Sequence, residues 1–336
     1  MSKSCFITGI TGMVGSHLVD YLVDNTDWEI YGFLRWNDNL ENLENHFSKI
    51  NKKVRIHLLY GDLNDLSSLL NAYKVAQPDY VFHLGAQSYP KTSFDSPLET
   101  LQTNIMGTAN VLEGLRILNL KPIIHVCASS EVFGRVPKES LPINEEVSFH
   151  PASPYAISKV GTDLLGRFYA EAYDMTVMTT RMFTHTGPRR GDVFAESTFA
   201  KQIAMIESGL QEPIISVGNL NSLRTWSDVR DAVIAYYMLV TKDPIAGEYY
   251  NIGGTFSCSV EHMLEHLVSL STYKDIKIQL DPDRLRPIDA DLQVPDVTKF
   301  KNHTGWEPKI SFEKTMIDLL NYWRGKIQNN KRFLSR

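Results

Sequence analysis

The chain has 336 residues, 43% of them hydrophobic, and a formal net charge of −5. Such a length can bury a sizeable core and predicts two lobes, while a mild negative charge without a basic run argues against nucleic acid or an anionic membrane as partner. Cys5, Cys127 and Cys258 are far apart and expected to be reduced. No metal-ligand cluster or membrane-length apolar run is evident, and Met1-Ser2-Lys3-Ser4 enters the first strand without a secretory pattern, so a cytoplasmic enzyme is expected.

The first predicted element is a short buried strand, Cys5-Phe6-Ile7-Thr8. It runs into Gly9-Ile10-Thr11-Gly12-Met13-Val14-Gly15 and an apolar helix over 14–22. Glycines there allow a tight turn and close approach to a pyrophosphate, which sits on the unpaired N–H groups at the positive end of the helix. Gly9, Gly12, Met13, Val14 and Gly15 are therefore candidate cofactor contacts.

Further strands are predicted near 29–34, 54–60, 80–84, 122–128 and 176–182, with helical stretches between most of them. This alternation predicts an α/β fold, a doubly wound parallel (Rossmann) sheet with its ligands at the strand C-termini. The second strand ends Gly32-Phe33-Leu34-Arg35-Trp36. An arginine there accommodates the 2′-phosphate of NADP whereas an acidic residue holds the hydroxyl of NAD. Arg35 favours NADP, with Trp36 as a candidate stacking neighbour, and Asp38 keeps NAD open. Asp62 follows the third strand and is placed to accept from an adenine amine. Gly85-Ala86-Gln87-Ser88 follows the fourth and is placed along the cofactor, so Leu63, Leu84 and Ala86 join the cofactor set. An ordinary loop with a helix cap is the alternative for both segments. His83 and His125 read as strand packing.

Ser129-Ser130-Glu131 and Tyr155-Ala-Ile-Ser-Lys159 come next. Tyrosine and lysine at i and i+4 share a helix face. The lysine, with a cofactor ribose hydroxyl between the two, is expected to lower the phenol from its reference pKa of about 10. Such a phenolate takes a hydroxyl proton while hydride leaves the same carbon. Glu131 is a carboxylate that simple redox chemistry does not need, and it stands ready for a second proton from a carbon acidified by the new ketone.

Beyond about residue 182 the alternation breaks down. Arginine-bearing loops appear at 183–191, 217–226 and 283–289, with a helix predicted from about 195 to 208. Arginine forks suit a diphosphate, the alternative being that each pairs with a surface carboxylate.

On these residues the chain resembles the extended short-chain dehydrogenases/reductases of the nucleotide-sugar class, and within them the GDP-mannose 4,6-dehydratases. The resemblance covers essentially the whole chain and rests on Ser129-Ser130-Glu131, Tyr155 with Lys159, Pro188-Arg189-Arg190-Gly191, Gly218-Asn219-Leu220 and Arg286-Pro287. It implies that Ser129 takes a hydroxyl position usually held by threonine, that Glu131 is the C5 base, and that Tyr155 with Lys159 is the oxidation pair. Arg189 and Arg190 match a loop that reaches a neighbouring subunit's cofactor in a tetramer, and His185 joins the cofactor set. Asn219, Arg224 and Arg286 match positions holding GDP, and Ser88, Ser130 and Thr184 complete the substrate set.

Two departures stand out. Thr184-His185 replaces the usual Asn-His, and Arg35-Trp36 the usual paired arginines. Residues 181–192 look more like a bacterial subgroup linked to GDP-manno-heptose and 6-deoxy-heptose formation, while Thr304-Gly305-Trp306-Glu307-Pro308 resembles GDP-4-keto-6-deoxy-mannose reductases. The expected organisation is a dinucleotide-binding domain over 1–182, rejoined by about 219–256, and a smaller substrate domain from 183–218 and 257–336. The expected function is a GDP-sugar 4,6-dehydratase using NADP, acting on GDP-D-glycero-manno-heptose or GDP-mannose for bacterial capsule or surface polysaccharide, as a homotetramer or homodimer. The alternatives are a 4-reductase or 4-dehydrogenase of the same fold and a non-catalytic nucleotide-binding protein.

Overall fold

The central strands of the first half are short, apolar and buried on both faces, the composition a parallel sheet under two helical layers demands, while the strand at 56–60, at the sheet edge, is mostly half-buried. The computed structural model describes residues 2–329; Met1 and residues 330–336, the ends of the two expected domains, lie outside the described residues. The strands are β1 (Ser4–Thr8), β2 (Glu29–Leu34), β3 (Ile56–Tyr60), β4 (Tyr80–His83), β5 (Ile123–Cys127) and β6 (Val177–Met182). They are followed by β7 (His185–Thr186), β8 (Ile214–Val217), β9 (Leu223–Asp228), β10 (Tyr249–Ile252), β11 (Phe256–Ser259), β12 (Lys277–Leu280) and β13 (Leu292–Gln293). Seven of them form one sheet in the order β10-β6-β5-β4-β1-β2-β3. Every pairing in it is parallel.

That order runs outward in both directions from β1, so the crevice for a ligand opens beyond the C-terminal ends of β1 and β4. The glycine turn and residues 84–88 leave the sheet at this place. Helix α1 (Met13–Asn25) and the helix Val229–Thr241 cover one face through Leu18, Val19, Leu22, Val233, Tyr236 and Leu239. Leu69, Tyr73, Val111, Leu115 and Tyr169 cover the other. Each such fully buried side chain contributes about 1.5–3 kcal/mol.

The third strand begins at Ile56 rather than at 54, because Lys53 and Arg55 adopt left-handed φ of 51° and 66° in a tight turn. That turn aims the Arg55 guanidinium at the end of α1, where it donates to the Val23 and Thr26 carbonyls at 3.0 and 2.7 Å. Those carbonyls have no partner within the helix, and a cation suits the negative end of the helix dipole.

A second core joins the helices Ala195–Glu207, Val260–Ser269 and Phe312–Asn329 through Ile203, Met263, Leu267, Met316, Leu320 and Trp323. Beside it β9 is the central strand of a small sheet, paired with β11, β13 and β7, and β12 pairs with β8. Between these excursions the chain returns to add β10 to the large sheet. No helix among the described residues is long and apolar enough to cross a membrane.

Candidate active site

A cleft of about 1440 Å³ runs from the C-terminal edge of the large sheet to the second core. It exceeds the roughly 300–1,000 Å³ that holds one small ligand, and so has room for a dinucleotide and a second nucleotide-sized molecule. Every residue singled out from the sequence as a cofactor, catalytic or substrate candidate lines it except Trp36, the candidate stacking neighbour, which is exposed outside it.

At the cofactor end, Gly9 has φ +71°, and a Cβ there would lie 2.8 Å from the Gly85 Cα. A Cβ on Gly15 would meet the Gly9 carbonyl oxygen at 2.3 Å. Only glycine fits either place. Helix α1 starts at Gly12 with no side-chain cap and no acidic residue in its first turn, so its N–H groups at Met13 and Val14 face the cleft ready for an anion. This cradle fits a dinucleotide pyrophosphate. Asn42 steadies it, donating to the Thr11 carbonyl at 2.9 Å.

Arg35 stands at the end of β2 with its guanidinium mostly exposed, but not free: its Nε donates to Asp38 at 3.0 Å and its backbone N–H to the same carboxylate at 3.1 Å. Both residues proposed to read the ribose are thus one unit. Asp62 accepts from the Asn64 N–H at 2.9 Å, while the cap of the next helix is Asp65, which accepts from Ser67. Residues 84–88 hang from two polar anchors. Thr8 Oγ1 accepts from the N–H groups of Leu84 and Gly85 at 3.1 and 2.9 Å. Asn104 exchanges bonds with the Gln87 backbone at 2.8 and 2.9 Å and reaches Ser158 at 2.8 Å. His83 bridges Thr8 and Thr108 at 2.9 Å to each, and burial lowers its pKa to about 3. His125, against Thr180 at 2.8 Å, is likewise lowered to about 3 by burial. Both are neutral packing groups.

The catalytic candidates meet at the end of β5. Ser129 Oγ accepts from the Glu131 N–H at 3.2 Å and is hydrogen-bonded to the Tyr155 hydroxyl. Tyr155 opens the helix Pro154–Tyr173, which Ser153 caps by accepting from the Ala156 N–H at 3.0 Å and which has proline at its first position. One turn later Lys159 donates to the Cys127 carbonyl at 2.8 Å. The side chains by themselves do not produce the expected acidification of the phenol, in which a cofactor ribose hydroxyl has a part. Burial raises the Tyr155 pKa well above its ordinary value, and the Ser129 bond lowers it only in part. Lys159 is turned toward Cys127, and burial lowers its own pKa, so its charge does not offset the desolvation of the phenol.

In the arginine loops, Arg189 pairs with Asp20 at 2.7 Å, Arg190 with Glu196 at 2.9 Å, Arg224 with Glu131 at 3.4 Å and Arg286 with Asp289 at 3.4 Å. Carboxylate pairing and cleft lining therefore hold together. Arg189 and Arg190 are tied down within their own chain. Asn219 donates to Asp289 at 3.1 Å, so the loops 217–226 and 281–291 are joined. His185 holds the Phe183 carbonyl at 3.2 Å; burial, with Arg190 nearby, lowers its pKa to about 4. Thr184, Ser88 and Ser130 face the same space.

Several cleft residues carried no local signal. Tyr89 and Phe194 form an edge-on pair with centroids 5.8 Å apart, and Trp226, Phe199 and Val260 form an apolar wall. Only its neighbour Ser88 hinted at Tyr89. Asn104 sits in a helix, and nothing near it in sequence indicates its partners at Gln87 and Ser158.

The model of the family described as GDP-mannose 4,6 dehydratase matches residues 6–319. A GDP-mannose 4,6-dehydratase of Yersinia enterocolitica is 30% identical, over 95% of this chain and 93% of its own length. A GDP-6-deoxy-D-mannose reductase of Pseudomonas aeruginosa is 30% identical over 98% and 99%. The chain spans 60% of the length of the GDP-mannose 4,6-dehydratase sdnI of Sordaria araneosa, at 31% identity over 95% of this chain. Among solved structures, RMD from Pseudomonas aeruginosa complexed with NADPH superposes with a TM-score of 0.82 at 28% identity, covering 97% of this chain and 100% of that one. On the family match, which includes every residue of the cleft, the chain belongs to the GDP-mannose 4,6-dehydratase family and is an enzyme of the short-chain dehydrogenase/reductase type.

Proposed function

We propose that this enzyme is a GDP-sugar 4,6-dehydratase that converts a manno-configured GDP-sugar, GDP-D-glycero-manno-heptose or GDP-mannose, to its 4-keto-6-deoxy derivative. The observation that carries the reading is a carboxylate in the same cleft as the redox tyrosine: the Glu131 backbone N–H is held by Ser129, and the charge of its side chain acts on the Tyr155 phenol. A simple alcohol oxidation has no work for it.

The cofactor is NADP, held by Gly9, Gly12, Met13, Val14 and Gly15 at the pyrophosphate, Arg35 at the 2′-phosphate, Asp62 and Leu63 near the adenine, and Leu84, Ala86 and His185 along its length. Bound there, the nicotinamide would accept hydride from C4 of the sugar and return it to C6. Tyr155 takes the proton of the C4 hydroxyl, Ser129 steadies that hydroxyl, and Lys159 supports the tyrosine. The resulting ketone acidifies C5–H. Glu131 removes that proton, then donates it to the C6 hydroxyl as water leaves, and C5 is finally reprotonated from solvent, which balances the C4 hydroxyl proton that Tyr155 gives up to solvent. General acid–base work of this kind is worth about 10²–10⁴ in rate. Asn219, Arg224 and Arg286 bind the GDP, with Ser88, Ser130 and Thr184 on the sugar. Residues 1–182 and about 219–256 form the cofactor domain, and 183–218 and 257–336 the substrate domain. The enzyme works in the cytoplasm in bacterial capsule or surface polysaccharide synthesis, as a homotetramer or homodimer in which Arg189 and Arg190 support a cofactor site.

A second reading, a 4-reductase, draws on the full-length similarity to the Pseudomonas reductase. Incubation with GDP-mannose and GDP-manno-heptose, read by mass spectrometry and by absorbance of reduced cofactor, separates them. Loss of water without net NADPH change supports the dehydratase. Net NADPH turnover with no water lost overturns it.

A further inference from the structure

Arg224 and Glu131 are 93 residues apart in sequence and meet across the cleft, Nη1 to Oε1 at 3.4 Å, with both side chains largely buried. In the reading above, one belongs to the diphosphate site and the other is the base. Their contact joins the two functions. We infer that Arg224 is a positioning residue that restrains Glu131 until the diphosphate of the substrate draws the guanidinium away, so that the base is released by the nucleotide half of its own substrate. The inference rests on the dehydratase reading.

Three features support it. First, the contact is a long, single one, unlike the paired bonds of Arg181 to Asp163 at 2.8 and 3.1 Å. A guanidinium held by one long bond is readily taken by an anion that accepts two short ones. Second, the two backbones are fixed. Arg224 lies in the central strand β9, opposite Cys258 on β11 and Gln293 on β13, and the Glu131 N–H is held by Ser129. Exchange of partners therefore needs only side-chain rotation. Third, the other members of the same site, Arg286 and Asn219, are tied to Asp289, a carboxylate with no part in the chemistry. Among these three, Arg224 alone holds the base.

Competition for one guanidinium is measured by a double-mutant cycle on nucleotide affinity. Calorimetric titration of the full chain with GDP supplies the readout. Glu131→Gln is expected to bind GDP about three- to tenfold more tightly than wild type, the size of a weak, singly bonded ion pair that no longer has to be broken. The gain should vanish in an Arg224→Met background. Glu131→Asp, which keeps the charge but withdraws the carboxylate by one methylene, should reproduce part of it, and guards against a misfolded glutamine variant. Simple repulsion between Glu131 and the diphosphate would give the same gain with or without Arg224. That result, or no gain at all, overturns the inference. A wild type that ignores GDP but binds UDP or dTDP overturns the GDP-sugar reading while the cycle is read on the nucleotide that binds. Binding of no nucleoside diphosphate overturns both.

Discussion

Glu131→Gln separates the two half-reactions of the proposed mechanism. Glutamine keeps the shape of the side chain and its place beside Ser129, but it cannot take a proton. The Glu131 N–H bond to Ser129 comes from the backbone and survives the change, so the Tyr155–Ser129 pair should stay intact. Removal of a nearby negative charge also takes away one cause of the raised Tyr155 pKa, which leaves the first step no slower. Substrate affinity should not fall, because the carboxylate lost is one that pairs with Arg224. The whole effect is therefore expected after ketone formation. With a GDP-sugar and NADP+, the variant should form reduced cofactor and 4-keto sugar, while exchange of C5–H with deuterated water and release of 6-deoxy product fall by about 10²–10⁴. Stopped-flow absorbance follows the reduced cofactor, and mass spectrometry follows deuterium and water. Water loss at the wild-type rate would refute the assignment of Glu131 as the C5 base.

Arg35→Ala should weaken NADP+ far more than NAD+, since a charge-assisted phosphate contact is lost while Asp38 is released to accept from a ribose hydroxyl; equal losses in fluorescence titration would contradict this. Gly15→Ala places a Cβ 2.3 Å from the Gly9 carbonyl, so α1 must shift away from the glycine turn. A loss of about 1–3 kcal/mol in stability is expected from overpacking, with weaker cofactor binding, and an unchanged melt with unchanged affinity would rule out the tight turn. Acid should destabilise the chain through His83 and His125, whose folded pKa values of about 3 lie below the usual 6.5. The unfolded state then binds more protons, so stability is full above about pH 6.5 and falls toward pH 3, by up to about 1.4 kcal/mol per histidine per pH unit. Denaturation midpoints of His83→Asn should be lower at neutral pH but less steep on the acid side, and an identical slope would exclude His83 as a source.

The order of elements and the glycine turn were legible in the sequence because both are local. A five-residue apolar strand must be buried on two faces, and helix α1 follows at once from Val14, Leu18, Val19 and Leu22 on its inner side. The tyrosine–lysine turn is local too, since a helix alone puts residues i and i+4 together. Its electrostatics are not. Whether Lys159 offsets the cost of burying Tyr155 depends on the Cys127 carbonyl, which the helix meets only when packed on β5. Arg55 looked like part of a strand and is the cap of a helix whose end lies some thirty residues earlier in the chain. The arginine loops could be recognised as arginine-rich, but their partners could not. Arg224 faces Glu131 because β9 joins a second sheet across the cleft from β5, and a contact between side chains from two separate sheets leaves no period in either segment. Local propensity therefore determined which residues could do chemistry, and the crossing of the two cores over one crevice decided which of them touch.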